Sequence, residues 1–303
     1  MFGKVIKSTG SNYTVLIPNN TLVNAKVKGN FRTRDIKSTN PIAVGDEVEL
    51  KINDENDAYI IDILPRKNYI IRKSINLSKQ THIIACNIDH ALLIVTLAMP
   101  RTSAGFIDRF LVTAEAYQIP TTIVFNKFDL YADESMEQIN KFIKMYEDIG
   151  YRCLKASAVS GLGLEDLAEI LKVGNTLLSG HSGVGKSTLI NALDNNLQLK
   201  TGVISDAHSK GKHTTTFAEM HKTKYGGYVT DTPGIKELGL VEITKAELHQ
   251  YFPEFRELAT HCKYNNCMHI NEPNCAIIKN ANANESTLPR YGSYLGIYEQ
   301  LEN

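Results

Sequence analysis

The chain has 303 residues, 43% hydrophobic and 22% charged, a balance that excludes disorder along most of its length. Lys plus Arg (33) equals Asp plus Glu (33), which rules out a uniformly basic coat for nucleic acid but not a locally basic region. At about 150 residues per domain there is room for two domains and a small third.

The longest apolar run, Ala91 to Met99, is too short to span a bilayer. The N-terminus alternates (Met-Phe-Gly-Lys-Val-Ile-Lys) instead of presenting a long apolar leader. Of five cysteines, an odd number, three fall between positions 262 and 275, which argues for metal chemistry in a reducing compartment over a disulfide framework. The expectation is a cytoplasmic monomer with no membrane segment.

Residues 1–65 read as five short strands around Lys4–Lys7, Tyr13–Ile17, Leu22–Ala25, Val48–Leu50 and Tyr59–Ile61, separated by turn residues such as Pro18-Asn19-Asn20. Five strands in this length predict a small barrel, foremost an OB-fold. A long loop between the third and fourth strands holds Phe31, Arg32, Arg34 and Lys37, aromatic and basic groups suited to stacking and charge contacts with RNA, or equally a solvated basic face. Residues 1–80 carry 13 Lys and Arg against 8 Asp and Glu, so the overall neutrality hides a basic N-terminal part and an acidic remainder. Residues 66–80 read as a connecting segment.

From 81 to 240 the pattern changes. Leu92–Leu97 and Thr121–Phe125 are continuous apolar runs, as strands buried on both faces require. Helical spacing (Phe106, Phe110, Leu111, Ala114, Tyr117; then Ile139, Phe142, Ile143, Tyr146) alternates with them and predicts an α/β domain with a parallel sheet.

Asn126-Lys127-Phe128-Asp129 closes the second apolar run. A carboxylate at Asp129 accepts from both the ring N–H and the exocyclic amine of guanine, whereas adenine presents an acceptor at the ring position. Lys127 is placed to cover the base, Asn126 to tie this loop to a phosphate loop, and Ser157-Ala158, after a further strand, to add a backbone contact. Gly180-His181-Ser182-Gly183-Val184-Gly185-Lys186-Ser187 then matches G-x-x-x-x-G-K-S between a short strand and a helix opening at Thr188. Its glycines let N–H groups converge on phosphates, Lys186 reaches the β- and γ-phosphates, and the Ser187 hydroxyl suits Mg²⁺. About 1% of chains this long carry such a pattern by chance, and the strand–loop–helix setting lowers that further. Asp231-Thr232-Pro233-Gly234 follows the strand Tyr228–Thr230 and completes the set, with Asp231 toward Mg²⁺ and the Gly234 N–H toward the γ-phosphate.

Ordinary small GTPases place the phosphate loop first. Here the base loop at 126 and the Ser-Ala loop at 157 precede the phosphate loop at 180, a circular permutation. Downstream, Cys262-x₄-Cys267-x-His269-x₅-Cys275 supplies the ligand set of a closed structural Zn²⁺ site, with His261 a weaker alternative. The apolar content around it looks small, so the metal is expected to support folding. Cys86 and Cys153, in apolar strand contexts, read as small buried residues.

Barrel, permuted GTPase and Cys/His module in that order resemble the ribosome small-subunit-dependent GTPase A family of bacteria along essentially the whole chain. The resemblance implies a GTP hydrolase that binds the small ribosomal subunit and its rRNA, acts late in maturation, and times its release by hydrolysis. A regulator of another protein or RNA is the competing expectation. A GTPase needs a switch threonine for Mg²⁺ and the γ-phosphate. Residues 211–216 offer Thr214, Thr215 and Thr216, and the resemblance favours Thr215. Ile235 stands where many GTPases carry a water-orienting glutamine, so His213 is proposed to hold the water, with an equal case for a phosphate- or partner-facing histidine. Lys186, His213 and Thr215 are the expected catalytic groups. The short chain between Asp231 and the metal module suggests that the second switch moves that module.

Overall fold

The structure, a computed structural model, describes residues 1–27, 41–53, 58–73, 81–199, 218–232, 240, 243–284 and 287–301. Phe31, Arg32, Arg34, Lys37, His213, Thr214, Thr215, Thr216, Gly234 and Ile235 lie outside the described residues.

Strands β1 (Phe2–Ser8), β2 (Asn12–Ile17), β3 (Thr21–Val27), β4 (Glu47–Ile52) and β5 (Ala58–Ile63) form the N-terminal unit. β1 pairs with β2, β2 with β3, β3 runs parallel to β5, β5 pairs with β4, and β4 returns to β1 with Gly3 opposite Val48. The ring is closed in the OB-like order, which leaves no free edge. Alternation along the strands turns Tyr13, Val15, Val48, Leu50, Ala58 and Ile60 into its core.

The segment read as a connection contains a strand. β6 (Tyr69–Lys73) pairs antiparallel with β7 (Thr81–Cys86). Ile70 and Ile71 are both buried, one on each face, so this strand lacks the alternation that would have announced it. Just before it, Arg66 donates to both oxygens of the fully buried Asp46 at 2.6 and 2.7 Å. Asp46 also accepts the Ala43 N–H and the Cys86 thiol, at 2.7 and 3.0 Å. Cys86 is buried as expected, and it closes a polar cluster at the foot of the barrel.

The second unit comprises β8 (His90–Val95), α1 (Ala104–Ala116), β9 (Thr121–Phe125), α2 (Met136–Asp148), β10 (Arg152–Lys155), α3 (Leu164–Ile170), β11 (Asn175–Ser179), α4 (Lys186–Leu193), β12 (Glu219–Lys222) and β13 (Tyr228–Asp231). Its sheet has the order β10-β9-β8-β11-β13-β12, parallel except for β12. The chain winds outward from β8 to β10 and then returns to the centre with β11. The strand order therefore reverses between β8 and β11, where open α/β sheets hold their ligands at the carboxyl ends. Apolar layers cover both faces, one including Phe110, Leu111, Ile123 and Tyr146 and the other Val124, Leu178, Leu189 and Ile190. One rung, Lys7 opposite Glu219, joins β1 to β12, supported by an ion pair at 3.2 Å.

A 3-10 turn (Leu248–Tyr251), α5 (Pro253–Ala259), α6 (Ala276–Ala283) and α7 (Leu288–Gln300) make the C-terminal unit. Its apolar content is larger than the sequence suggested: Leu248, Phe252, Phe255, Ile277, Tyr294 and Ile297 are buried together with Val112 of α1. These residues are scattered singly over some 50 positions, so no run marks them.

Candidate nucleotide and metal sites

Parallel pairing brings the ends of β9, β10, β11 and β13 to one edge: Lys155 lies opposite Phe125, and Leu178 opposite Asp231. The base loop, the Ser-Ala loop, the phosphate loop and Asp231 therefore share one mouth of the sheet, though 105 positions separate Asn126 from Asp231. The permutation changes the order of synthesis and preserves the spatial set.

Two glycines of the phosphate loop have no substitute. A Cβ on Gly180, at φ +142°, would stand 2.1 Å from the Ile94 carbonyl oxygen, and one on Gly185, at φ +90°, 2.6 Å from Asn126 Nδ2. That second contact marks where the halves of the site meet: Asn126 Nδ2 donates to the Val184 carbonyl at 2.8 Å. Val184 itself is fully buried under the loop. Lys186 Nζ donates to the carbonyls of Gly180 and His181 at 2.7 and 3.0 Å, holding its ammonium inside the loop's curve. The His181 ring lies on Phe106 of α1, centroids 3.7 Å apart. Ser182 and Thr188 are exposed, whereas Gly183, Ser187 and Asp231 are partly covered.

Burial lowers the Lys186 pKa against the pull of Asp231, and burial raises that of Asp231 against Lys186, His221 and the Thr232 N–H. Each group thus carries a desolvation cost that a partner would offset: a phosphate beside Lys186, a cation beside Asp231. Ser187, in the first turn of α4, and Asp231, ending β13, fit a hard oxygen-liganded cation such as Mg²⁺.

In the base loop, Lys127 adopts the left-handed conformation (φ +59°) and its Nζ donates to the Met99 carbonyl at 2.8 Å. Phe128 N–H donates to Ala156 O at 3.0 Å, linking the base loop to the Ser-Ala loop, and the Asp129 side chain stays exposed. Ser157 is buried, with its hydroxyl taken by the N–H groups of Val159 and Ser160 at 3.2 and 3.0 Å. The serine therefore shapes the turn and leaves a base contact to the backbone of Ala158.

Cys262, Cys267, His269 and Cys275 come together with all four ligand atoms within 4.8 Å of one another. Cys262 Sγ lies 3.8 Å from Cys275 Sγ and 3.6 Å from His269 Nδ1, and Nδ1 lies 3.3 Å from Cys275 Sγ. These are the edges of a tetrahedron around an ion with metal–sulfur bonds of about 2.3 Å and a metal–nitrogen bond of about 2.0 Å. Three thiols and one imidazole leave no open position. The cradle is held from outside. Glu272 accepts the N–H groups of Met268, Ile270 and Asn271 at 2.7–3.1 Å, while Tyr291 and Tyr294 donate to the carbonyls of His269 and Met268 at 2.8 and 2.7 Å. His261 is not among the gathered ligands.

The unit that carries the Cys/His cluster docks on α1. Arg290, 1% exposed, donates to Asp108 Oδ1 at 2.7 Å and to Glu254 at 2.7 and 3.2 Å, and Tyr146 donates to the same Asp108 oxygen at 3.0 Å. Arg256 pairs with Glu115, and Arg109 with Gln300. Helical spacing marks Phe106 and Tyr146 only as core-facing positions, and neither the His181 contact of Phe106 nor the Arg290–Asp108–Glu254 network is signalled by a contiguous motif.

A parallel sheet carrying phosphate and base loops in permuted order, behind a closed five-stranded barrel, defines a circularly permuted P-loop GTPase. The sequence matches the RsgA N-terminal domain over residues 2–60 and the RsgA GTPase domain over residues 63–241. It is 51% identical over 302 residues to a protein of Bacteroides fragilis named small ribosomal subunit biogenesis GTPase RsgA, covering 100% of this chain and 97% of that one. A Flavobacterium psychrophilum protein of the same name is 49% identical, covering 99% and 93%. The crystal structure of YjeQ from Thermotoga maritima superposes with a TM-score of 0.80 at 33% identity, covering 99% of this chain and 98% of that one. That of YloQ, described as a circularly permuted GTPase, gives 0.75 at 27%, covering 99% and 94%. The chain belongs to the RsgA GTPase family.

Proposed function

We propose that this GTPase acts in biogenesis of the small ribosomal subunit, with GTP hydrolysis stimulated by the subunit and timing its release. The observation that carries this reading is full-length similarity, at about half identity, to relatives named for that role. Asp129 would read guanine, with Lys127 covering the base, Asn126 tying this loop to the phosphate loop and Ser157-Ala158 adding a backbone contact. The loop 180–187 would hold the phosphates, with Lys186 neutralising the β- and γ-oxygens. Ser187, Asp231 and, in the switch, Thr215 would hold Mg²⁺, which would supply positive charge against the charge developing on the phosphate oxygens.

Ile235 brings no side chain able to orient water, so His213 in the first switch is proposed for that task. Turnover would then be slow until a partner orders the switch. The Cys262–Cys267–His269–Cys275 set would hold one structural Zn²⁺, a choice favoured by three soft thiolates with one imidazole. Phe31, Arg32, Arg34 and Lys37, in the basic N-terminal part, are the proposed rRNA contacts. No helix among the described residues is long and apolar enough to cross a membrane.

The test is GTP turnover by the chain alone, with small subunits, with large subunits and with free RNA. Selective acceleration by small subunits is expected. Equal rates in all four settings would overturn the reading. His213→Ala should abolish the acceleration while leaving GDP affinity intact.

A further inference from the structure

Lys127 does not meet the rest of the site through the phosphate loop alone. Its Nζ is held by the Met99 carbonyl at 2.8 Å, in the loop 97–103 that follows β8. That loop is itself braced: Thr96 N–H donates to Thr102 Oγ1 at 3.2 Å, Thr102 N–H returns to Thr96 O at 2.8 Å, and the Thr96 hydroxyl donates to Pro100 O. One side chain bridges the braced loop and the base loop. The Tyr131 hydroxyl accepts the Leu97 N–H at 2.8 Å and donates to the Asn126 carbonyl at 3.2 Å. Its ring packs edge-on against Phe128, centroids 5.4 Å apart.

Asn126 and Lys127 are thus fixed on both sides of one peptide. Asn126 is held at its side chain by Val184 and at its carbonyl by Tyr131, and Lys127 is held at its tip by Met99. The Tyr131 phenol thus ties the end of β8 to the start of the base loop that carries Lys127 and Asp129.

We propose that Tyr131 is a positioning residue for guanine recognition and that loop 97–103 is the wall against which it registers the base loop. This rests on the guanine-site reading given above. It adds a specificity element outside the Asn-Lys-x-Asp motif, acting on the base and not on the phosphates.

The experiment compares the full chain with Tyr131→Phe, which keeps the ring and removes the bridge. Affinities for GDP, GTP and inosine diphosphate, which lacks the exocyclic amine, are measured with fluorescent nucleotide analogues, alongside kcat, KM and Tm. Leaving Asn126 O and Leu97 N–H without this partner should weaken GDP and GTP by the same factor, about tenfold. The preference for guanosine over inosine diphosphate should shrink, and KM should rise with kcat kept. Amide exchange at Leu97 should quicken. Unchanged GDP affinity, a loss confined to the triphosphate, or a lower Tm with the base preference intact would each overturn the proposal. Failure of the wild-type chain to bind GDP would instead overturn the guanine-site reading itself.

Discussion

Gly185 shows how narrowly the site is built at the level of single atoms. At φ +90°, with a prospective Cβ 2.6 Å from Asn126 Nδ2, it meets two independent objections to any side chain. Gly185→Ala should strain the backbone by about 1–3 kcal/mol and push Asn126 off the Val184 carbonyl. Guanine nucleotide binding should fall by more than an order of magnitude while the far-UV circular dichroism stays native. Retention of wild-type affinity would show that the Asn126–Val184 bond does not organise the site. A residue such as Ser157, by contrast, is committed to its own turn, its hydroxyl oxygen accepting the N–H groups of Val159 and Ser160.

Helix α1 meets both the phosphate loop and the C-terminal unit. Phe106 in its first turn stacks on the phosphate-loop histidine, Asp108 receives Arg290, and Val112 enters the C-terminal core. Replacing Arg290 by Met would leave the Asp108 and Glu254 carboxylates buried and uncompensated, at a cost of about 3–5 kcal/mol. A fall in Tm of several degrees is expected, partly restored by adding Asp108→Asn, and thermal melts of the single and double variants check it. Little change in the single variant would mean that the network carries no net stability.

The contrast between the legible and the hidden elements has a physical origin. The loops at 126 and 180 and the Cys/His set are legible because each gathers its groups within a few residues, where backbone geometry dictates spacing. The barrel is legible because alternation reports one buried face. β6 escapes a sequence reading because Ile70 and Ile71 are buried on opposite faces. Arg290–Asp108 joins positions 182 apart, and a lone buried arginine looks like any surface arginine in sequence.

For the whole molecule, the C-terminal unit has an apolar core shared with Val112 and an ionic seam to α1, in addition to its Cys/His cradle. Stripping the metal with a chelator should therefore lower Tm and loosen the segment 262–275, yet leave a cooperative unfolding transition. Calorimetry with and without chelator reads this directly. Complete unfolding at room temperature would mean that the metal, and not the Phe252–Phe255–Tyr294 cluster, holds the unit together.

The return of the chain to the centre of the sheet also bears on the order of events during synthesis. β8, β9 and β10 leave the ribosome before β11, so the half that carries the loop at 126 exists first with an unpaired edge at β8. The nascent chain cannot close that edge until residues 175–179 emerge, and β13 comes some fifty positions later. In an unpermuted GTPase the phosphate loop comes early, and bound nucleotide can template the strands made after it. Here four of the six strands precede the phosphate loop, so bound nucleotide can template only β12 and β13.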